Sequence, residues 1–253
     1  MSTSANNIPV VEMKNIVKRF GTITALKNVD FRVDRAQVMA LVGDNGAGKS
    51  TLIKILTGIY PPNSGEIYFE GKLVQINSPR DARDLGIETC YQDLALVNLM
   101  SISRNFFLGR ELVHRIGPIN WLKISDMSAL TRSALADVGI QIRSPGDRVG
   151  SLSGGERQSI AIGRAVHFGA KLLILDEPTS ALSVAETRKV LKYIENAKAR
   201  GLPVIFITHN VHHVYMMADA YTIIRHGEKV GTYQRGELSE NDIADLITGQ
   251  REK

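Results

Sequence analysis

VMALVGDNGAGKSTLIKIL, residues 38–56, begins as an uncharged apolar run and ends with Leu52, Ile53, Ile55 and Leu56 at helical spacing. Between the two lies G-x-x-x-x-G-K-S, with Gly43, Gly48, Lys49 and Ser50 at the fixed positions. A buried strand passing through a glycine-bent loop into a helix is an α/β arrangement, and its loop suits a phosphate. The glycines let successive N–H groups face one anion, and a helix starting near Lys49 adds the positive end of its dipole. The cradle therefore comprises Gly43, Asp44, Asn45, Gly46, Ala47, Gly48, Lys49, Ser50 and Thr51. Lys49 is expected at the β- and γ-phosphates of ATP, Ser50 on Mg2+, and Thr51 at the α-phosphate. A glycine-rich turn without a ligand is the plainer alternative, and the strand and helix on either side weigh against it.

A second apolar run, LLILDE at 172–177, places Asp176 at the end of a buried strand, where it can serve Mg2+, and Glu177 one residue farther out. Glu177 is expected to orient the attacking water, because γ-phosphoryl transfer needs a positioned nucleophile more than a strong base. PVIFITH, 203–209, ends another strand with His209, and strand ends of a parallel sheet share one rim. His209 is expected at the γ-phosphate. On its own, an acidic pair or a histidine at a strand end would read as structural.

Working outward, VVEMKNIVKRF and ALKNVDFRV alternate apolar and polar residues around Gly21, as antiparallel strands do, and GEIYFEGKLV reads as a hairpin turning near Gly71. From about Leu94 to Gly150 helical patterns replace strand signals, which implies a helical insertion. Strand and helix alternate again afterwards: a helix from about Val184 to Arg200, another near Val211–Ala218, the strand YTIIRHG, and a closing helix capped by Ser239. The expected fold is α/β, a mostly parallel sheet with an antiparallel β subdomain and an inserted helical subdomain. One domain spans 8–249, with the core at 8–93 and 160–249 and the insertion at about 94–159.

A chain of 253 residues with 43% hydrophobic and 23% charged residues suits one such domain and excludes long disorder. No stretch is long and apolar enough to span a bilayer, and the start lacks the pattern of a secretion signal. Cys90, a single cysteine in GIETCYQ, reads as a buried strand residue. The net charge of +5 discriminates little. Without a run of like charges or interleaved aromatics, nucleic acid is not favoured as a partner. The apolar run LVNLMSI, 96–102, is read equally as core or as a groove for a partner.

LSGGERQ, 152–158, can be read as a capped helix start, with Ser153 the cap and Glu156 its partner three residues on. It also resembles the signature motif of the ATPases of ABC transporters, a phosphate-loop (RecA-like) NTPase family. The likeness extends along essentially the whole chain in the family's order. It implies that Phe20 stacks on adenine, with Val29 or nearby apolar residues assisting. It further implies that Gln92 touches Mg2+ or water and joins the core to the insertion, and that SALS, 180–183, is a dimer-contact loop. Ser183 stands where many members carry Asp, and Asn210 follows His209 where Asp is frequent.

By the same resemblance, Ser153, Gly154 and Gly155 face the γ-phosphate bound to a second copy, so that two copies sandwich two ATP molecules. GIETCYQDLALVNLMSISRNFFLGRE and ITHNVHHVYMMADAYTIIRHGEKVGTYQRGELS are similar to the ATPase subunits of bacterial monosaccharide importers of the ribose, xylose and fructose type. The implied partners are a second copy of the chain, membrane permease subunits and an extracytoplasmic sugar-binding protein. The implied location is peripheral, on the cytoplasmic side of the inner membrane. A soluble ABC ATPase without a permease, or a subunit serving another substrate, is the alternative.

Overall fold

The computed structural model describes residues 8–91, 94–116, 119–180 and 182–250. The order of elements is β1 (Val11–Phe20), β2 (Ile23–Val33), β3 (Val38–Val42), α1 (Lys49–Leu56), β4 (Ser64–Phe69), β5 (Lys72–Val74), α2 (Pro79–Leu85) and β6 (Ile87–Cys90). Then come α3 (Ile102–Phe106), β7 (Val113–Ile116), β8 (Ile119–Leu122), α4 (Ile124–Asp137), α5 (Gly154–His167) and β9 (Leu172–Asp176). The chain ends with α6 (Val184–Ala199), β10 (Val204–Ile207), α7 (Val211–Met217), β11 (Ala220–Arg225), β12 (Glu228–Gln234) and α8 (Glu240–Thr248). The described residues form two compact units. The first lies within Met1–Thr89, Ala170–Pro178 and Lys198–Lys253, the second within Cys90–Gly169 and Thr179–Ala197.

In the first unit the larger sheet has the order β12-β11-β3-β10-β9-β6. Its centre is parallel, with β10 between β3 and β9, and β3 also paired in parallel with β11. β3 and β10 are buried throughout, and so are the first four residues of β9. This is why their sequences read as continuous apolar runs and not as alternations. The antiparallel sheet, β2-β1-β4-β5, does alternate. In β1 the alternation slips at Asn15, whose φ of 51° marks a bulge, so that Met13 and Ile16 are both buried. The Glu70–Gly71 turn between β4 and β5 has positive φ at both residues, as a tight hairpin requires. Met13, Ile16 and Phe31 share one core with Leu52, Ile55, Ile174 and Ile205.

The second unit is not all helical as the sequence pattern suggested. β7 and β8 form an antiparallel hairpin, Val113 opposite Leu122 and His114 opposite Trp121. Helix α4 accordingly begins at Ile124, after Trp121 and Leu122 have been taken into a strand, and α3 is a five-residue helix. The unit's core gathers Ile102, Phe106, Phe107, Met127, Leu135 and Ile160. A Cβ on Gly163 would lie 2.4 Å from Leu135 Cδ2, so glycine there is what lets α5 sit close against α4. Strand β12 also had no counterpart in the sequence reading, whereas Cys90 is buried as expected.

Candidate functional site

The loop from Gly43 to Gly48 leaves β3 and enters α1 with φ of 155°, 78° and 110° at Gly43, Gly46 and Gly48. A Cβ on Gly43 would lie 2.1 Å from the Ile224 carbonyl oxygen, and one on Gly48 would meet Leu26 Cδ2 at 2.8 Å and the Ala25 carbonyl at 2.9 Å. Only glycine fits either place. Helices α2, α5, α7 and α8 each donate a first-turn backbone N–H to the side-chain oxygen of the N-cap residue. At α1 the N-cap is Gly48, which offers none. The first-turn N–H groups of α1 are thus left for something other than a cap, and a phosphate is what such a bent, positive helix start accepts.

Lys49 is buried, and its Nζ donates to the carbonyls of Gly43 (2.7 Å) and Asp44 (3.0 Å). Burial lowers its pKa, against the opposing pull of Glu177, Asp44 and Asp176. Asp176 shifts the other way, raised first by burial and then by Glu177, with Lys49 and Lys54 working to lower it. A buried cation and a half-buried carboxylate that feel each other's charge, each shifted toward its neutral form, make a charged site that awaits compensating groups. Ser50 and Asp176 are hard oxygen donors of the kind Mg2+ takes, so the donor set fits that ion.

Register explains why Glu177 meets His209. Asp176 lies opposite Ile207 in the parallel pairing of β9 with β10, so the residues just beyond those strand ends emerge side by side. Glu177 has φ of 49°, an uncommon conformation for a residue with a side chain, and its N–H still donates to the Ile207 carbonyl. Its Oε1 accepts from the His209 backbone N–H (3.1 Å) and lies 2.8 Å from His209 Nδ1, while its Oε2 accepts from the Thr208 hydroxyl at 3.4 Å.

In the second unit, α5 opens with a capping box. Ser153 Oγ accepts from the Glu156 N–H at 3.3 Å, and the Glu156 carboxylate accepts from the Ser153 N–H at 2.9 Å. The glycines after the cap are close-packed. A Cβ on Gly154 would lie 2.8 Å from Leu182 Cδ2, and one on Gly155 would lie 2.9 Å from the Glu186 Cβ. The loop before α6 therefore rests on the start of α5.

A model of the family described as ABC transporter matches residues 26–180, which include the glycine loop, the LSGGERQ helix start and the Asp176–Glu177 pair. This chain belongs to the ABC transporter family. It is 43% identical to the xylose/arabinose import ATP-binding protein of Sulfolobus acidocaldarius, over 94% of each chain. It is 41% identical to the fructose import ATP-binding protein of Rhizobium meliloti, over 96% of this chain and 95% of that one. A solved nucleotide-free ATP-binding cassette from an ABC transporter superposes with a TM-score of 0.82 at 25% identity, over 94% of this chain and 96% of that chain. Membership makes the chain an ATP-binding subunit that couples ATP hydrolysis to transport.

Against the sequence expectations for an ABC ATPase, the structure brings Lys49, Asp176, Glu177 and His209 to one rim of the first unit. Phe20 is exposed and packs edge-on to Tyr60 at 5.2 Å, with Lys18 Nζ 5.1 Å from its ring. Val29 is not available to a base. From β2 it is fully buried in the core of the first unit, and Ile23, which lies opposite Phe20, is the exposed apolar residue. Gln92 and Ala181 lie outside the described residues. The LVNLMSI run divides: Ile102 is core, whereas Leu99 is 81% exposed. Sequence reasoning missed Thr208, which is buried and donates to Glu177, and Glu186, which meets Gly155 across 31 positions. Thr208 stood in the quoted strand; the Ser183-x-x-Glu186 spacing was the available signal for the second. Among the described residues no helix is long and apolar enough to cross a membrane.

Proposed function

We propose that this chain is the energising subunit of a monosaccharide importer, hydrolysing ATP between two copies of itself bound to a membrane permease. The single observation that supports sugar import is end-to-end likeness to subunits named for xylose, arabinose and fructose import. In this reading the N–H groups of Gly43–Thr51 and the Lys49 ammonium bind the phosphates, and Phe20 stacks on adenine. Ser50 and Asp176, together with Gln92, hold Mg2+. When bound, that ion supplies positive charge for the triphosphate oxygens.

Glu177 accepts a hydrogen bond from the attacking water, and His209, bonded to the Glu177 Oε1, keeps Glu177 oriented and reaches the γ-phosphate. Ser153, Gly154 and Gly155 of the second copy close the site, using a capped helix start as an anion acceptor. Pairing of the copies would be carried to the permease through Gln92 and the second unit. An extracytoplasmic binding protein delivers the sugar, and the subunit sits at the cytoplasmic side of the inner membrane as a peripheral protein.

Two measurements test this. Glu177→Gln with ATP and Mg2+ should elute from gel filtration at twice the mass of the nucleotide-free chain, and a mutant that stays single with ATP overturns the sandwich. Proteoliposomes carrying the permease that co-purifies with the chain should take up labelled xylose, ribose or fructose only with ATP inside. Uptake of none of them overturns the sugar assignment while leaving the ATPase reading in place.

A further inference from the structure

Glu186 lies in the first turn of α6, on the N3 position counted from Ser183. One carboxylate oxygen, Oε2, accepts from the Ser183 N–H (3.0 Å) and the Ser183 hydroxyl (2.8 Å), and the Glu186 N–H donates back to Ser183 Oγ at 3.3 Å. That much is a capping box for α6. The other oxygen, Oε1, leaves its own helix and accepts from the Gly155 N–H at the start of α5, at 3.3 Å. Together with a bond from the Ser153 side chain, these contacts hold the Glu186 carboxyl down at about 2, so it is an anion at any ordinary pH. A negative charge thus already sits on the positive end of α5, where an N–H and the helix dipole favour one.

Gly155 N–H is one of the groups assigned above to the γ-phosphate of the second copy. A single N–H cannot serve both anions, and a carboxylate beside an incoming triphosphate repels it. We propose that Glu186 is a positioning residue that occupies Gly155 between rounds and is displaced when ATP pairs the two copies, an inference that rests on the two-copy reading above. Displacement is local, because Oε2 stays with Ser183 while Oε1 lets go. The hydroxyl at 183 is what allows this: it donates to Glu186, whereas an Asp carboxylate there would repel it.

The test compares variants that separate the cap from the reach. Glu186→Asp keeps the charge and the cap, since Ser239 and Asp242 already form a capping box with Asp at N3 of α8, but it is one methylene too short to bridge to Gly155. Glu186→Gln keeps the length and removes the charge. Each is made in the full chain carrying Glu177→Gln, and pairing is followed by gel filtration as ATP with Mg2+ is raised. Both variants should reach half-maximal pairing at an ATP concentration on the order of ten-fold below their parent, the worth of one charge-assisted hydrogen bond. With Glu177 intact, both should lower KM for ATP and leave kcat unchanged, a split that loss of a cap would not produce. A parent that pairs while both variants need as much ATP or more overturns this role alone. A lower requirement in Glu186→Gln only assigns the effect to charge at a distance and overturns the contact. A parent that never pairs overturns the sandwich, and this role with it.

Discussion

Glu177 and His209 meet at 2.8 Å, Oε1 to Nδ1, and the same oxygen also takes the His209 backbone N–H, so one carboxylate oxygen carries two bonds from a single residue. Glu177 is 16% exposed at its side chain and His209 67%. The arrangement fixes the direction of a shielded carboxylate by means of an exposed ring. His209→Ala keeps the backbone bond and loses the ring. It should lower kcat for ATP hydrolysis by on the order of a hundredfold, with KM changed little. Adding it to Glu177→Gln should lower the residual rate hardly further, because the two residues act as a unit. Steady-state hydrolysis by the four chains of this cycle, followed by phosphate release, checks it; independent, multiplying losses would break the pairing.

Asp176 gives a pH dependence. Its pKa is raised in the folded chain, so the folded state holds the proton more tightly than the unfolded state does. The stability this contributes is fully present below the unfolded value of 3.8 and is lost as pH rises through the higher folded value. At neutral pH without nucleotide or divalent ion, the ionised, partly buried carboxylate therefore costs stability. Asp176→Asn should melt at a higher temperature than the unaltered chain at pH 7 in chelator, with the gap closing as the pH approaches 4. With ATP and Mg2+ the order should reverse, since only the carboxylate gains from the bound ion. Thermal melts over that pH range test both halves.

What could be read from the sequence, and what could not, divides along physical lines. Strands β3, β9 and β10 were legible because burial on both faces demands an unbroken apolar run, and the caps at Ser153 and Ser239 because a cap and its N3 partner are three residues apart. The β7–β8 hairpin was not legible. Its strands are four residues each, too short for a period to register, and the helical spacing of the following segment extends back over Trp121. β12 is an edge strand with a largely polar sequence and lacks a core strand's signal. At the site, the register of β9 against β10 places Glu177 beside His209, and no local pattern reports a register. The bond from Gly155 to Glu186 spans 31 positions and is invisible for the same reason.

The phosphate loop separates two kinds of glycine. Gly43→Ala forces a Cβ to within 2.1 Å of the Ile224 carbonyl, which β11 holds in place, while a Cβ on Gly46 meets nothing within 4 Å. Both have positive φ. Gly46→Ala should cost about 1 kcal/mol from conformation alone. Gly43→Ala should cost about 3 kcal/mol or more, because the loop or β11 must shift as well. Denaturant titrations of the nucleotide-free chains measure both, and equal losses would mean the close approach to β11 relaxes freely.

The segment 97–101 shows why exposure and support must be broken separately. Asn105 is fully buried and ties this segment together: Nδ2 donates to the carbonyls of Val97, Met100 and Ser101, and Oδ1 accepts the Val97 N–H at 2.7 Å. Leu99, carried on the same loop, points out of the unit. Leu99→Glu should leave stability within about 0.5 kcal/mol of the unaltered chain, because that side chain is mostly in solvent already. If the loop docks on the permease, sugar uptake by proteoliposomes should fall sharply in this variant while hydrolysis by the free subunit is unchanged. Asn105→Ala should do the reverse to the fold, costing about 3 kcal/mol through backbone groups left unpaired. Melting temperature, free-subunit hydrolysis and coupled uptake, measured on both, distinguish a lost contact from a lost scaffold; unimpaired uptake with Leu99→Glu removes this loop from the interface.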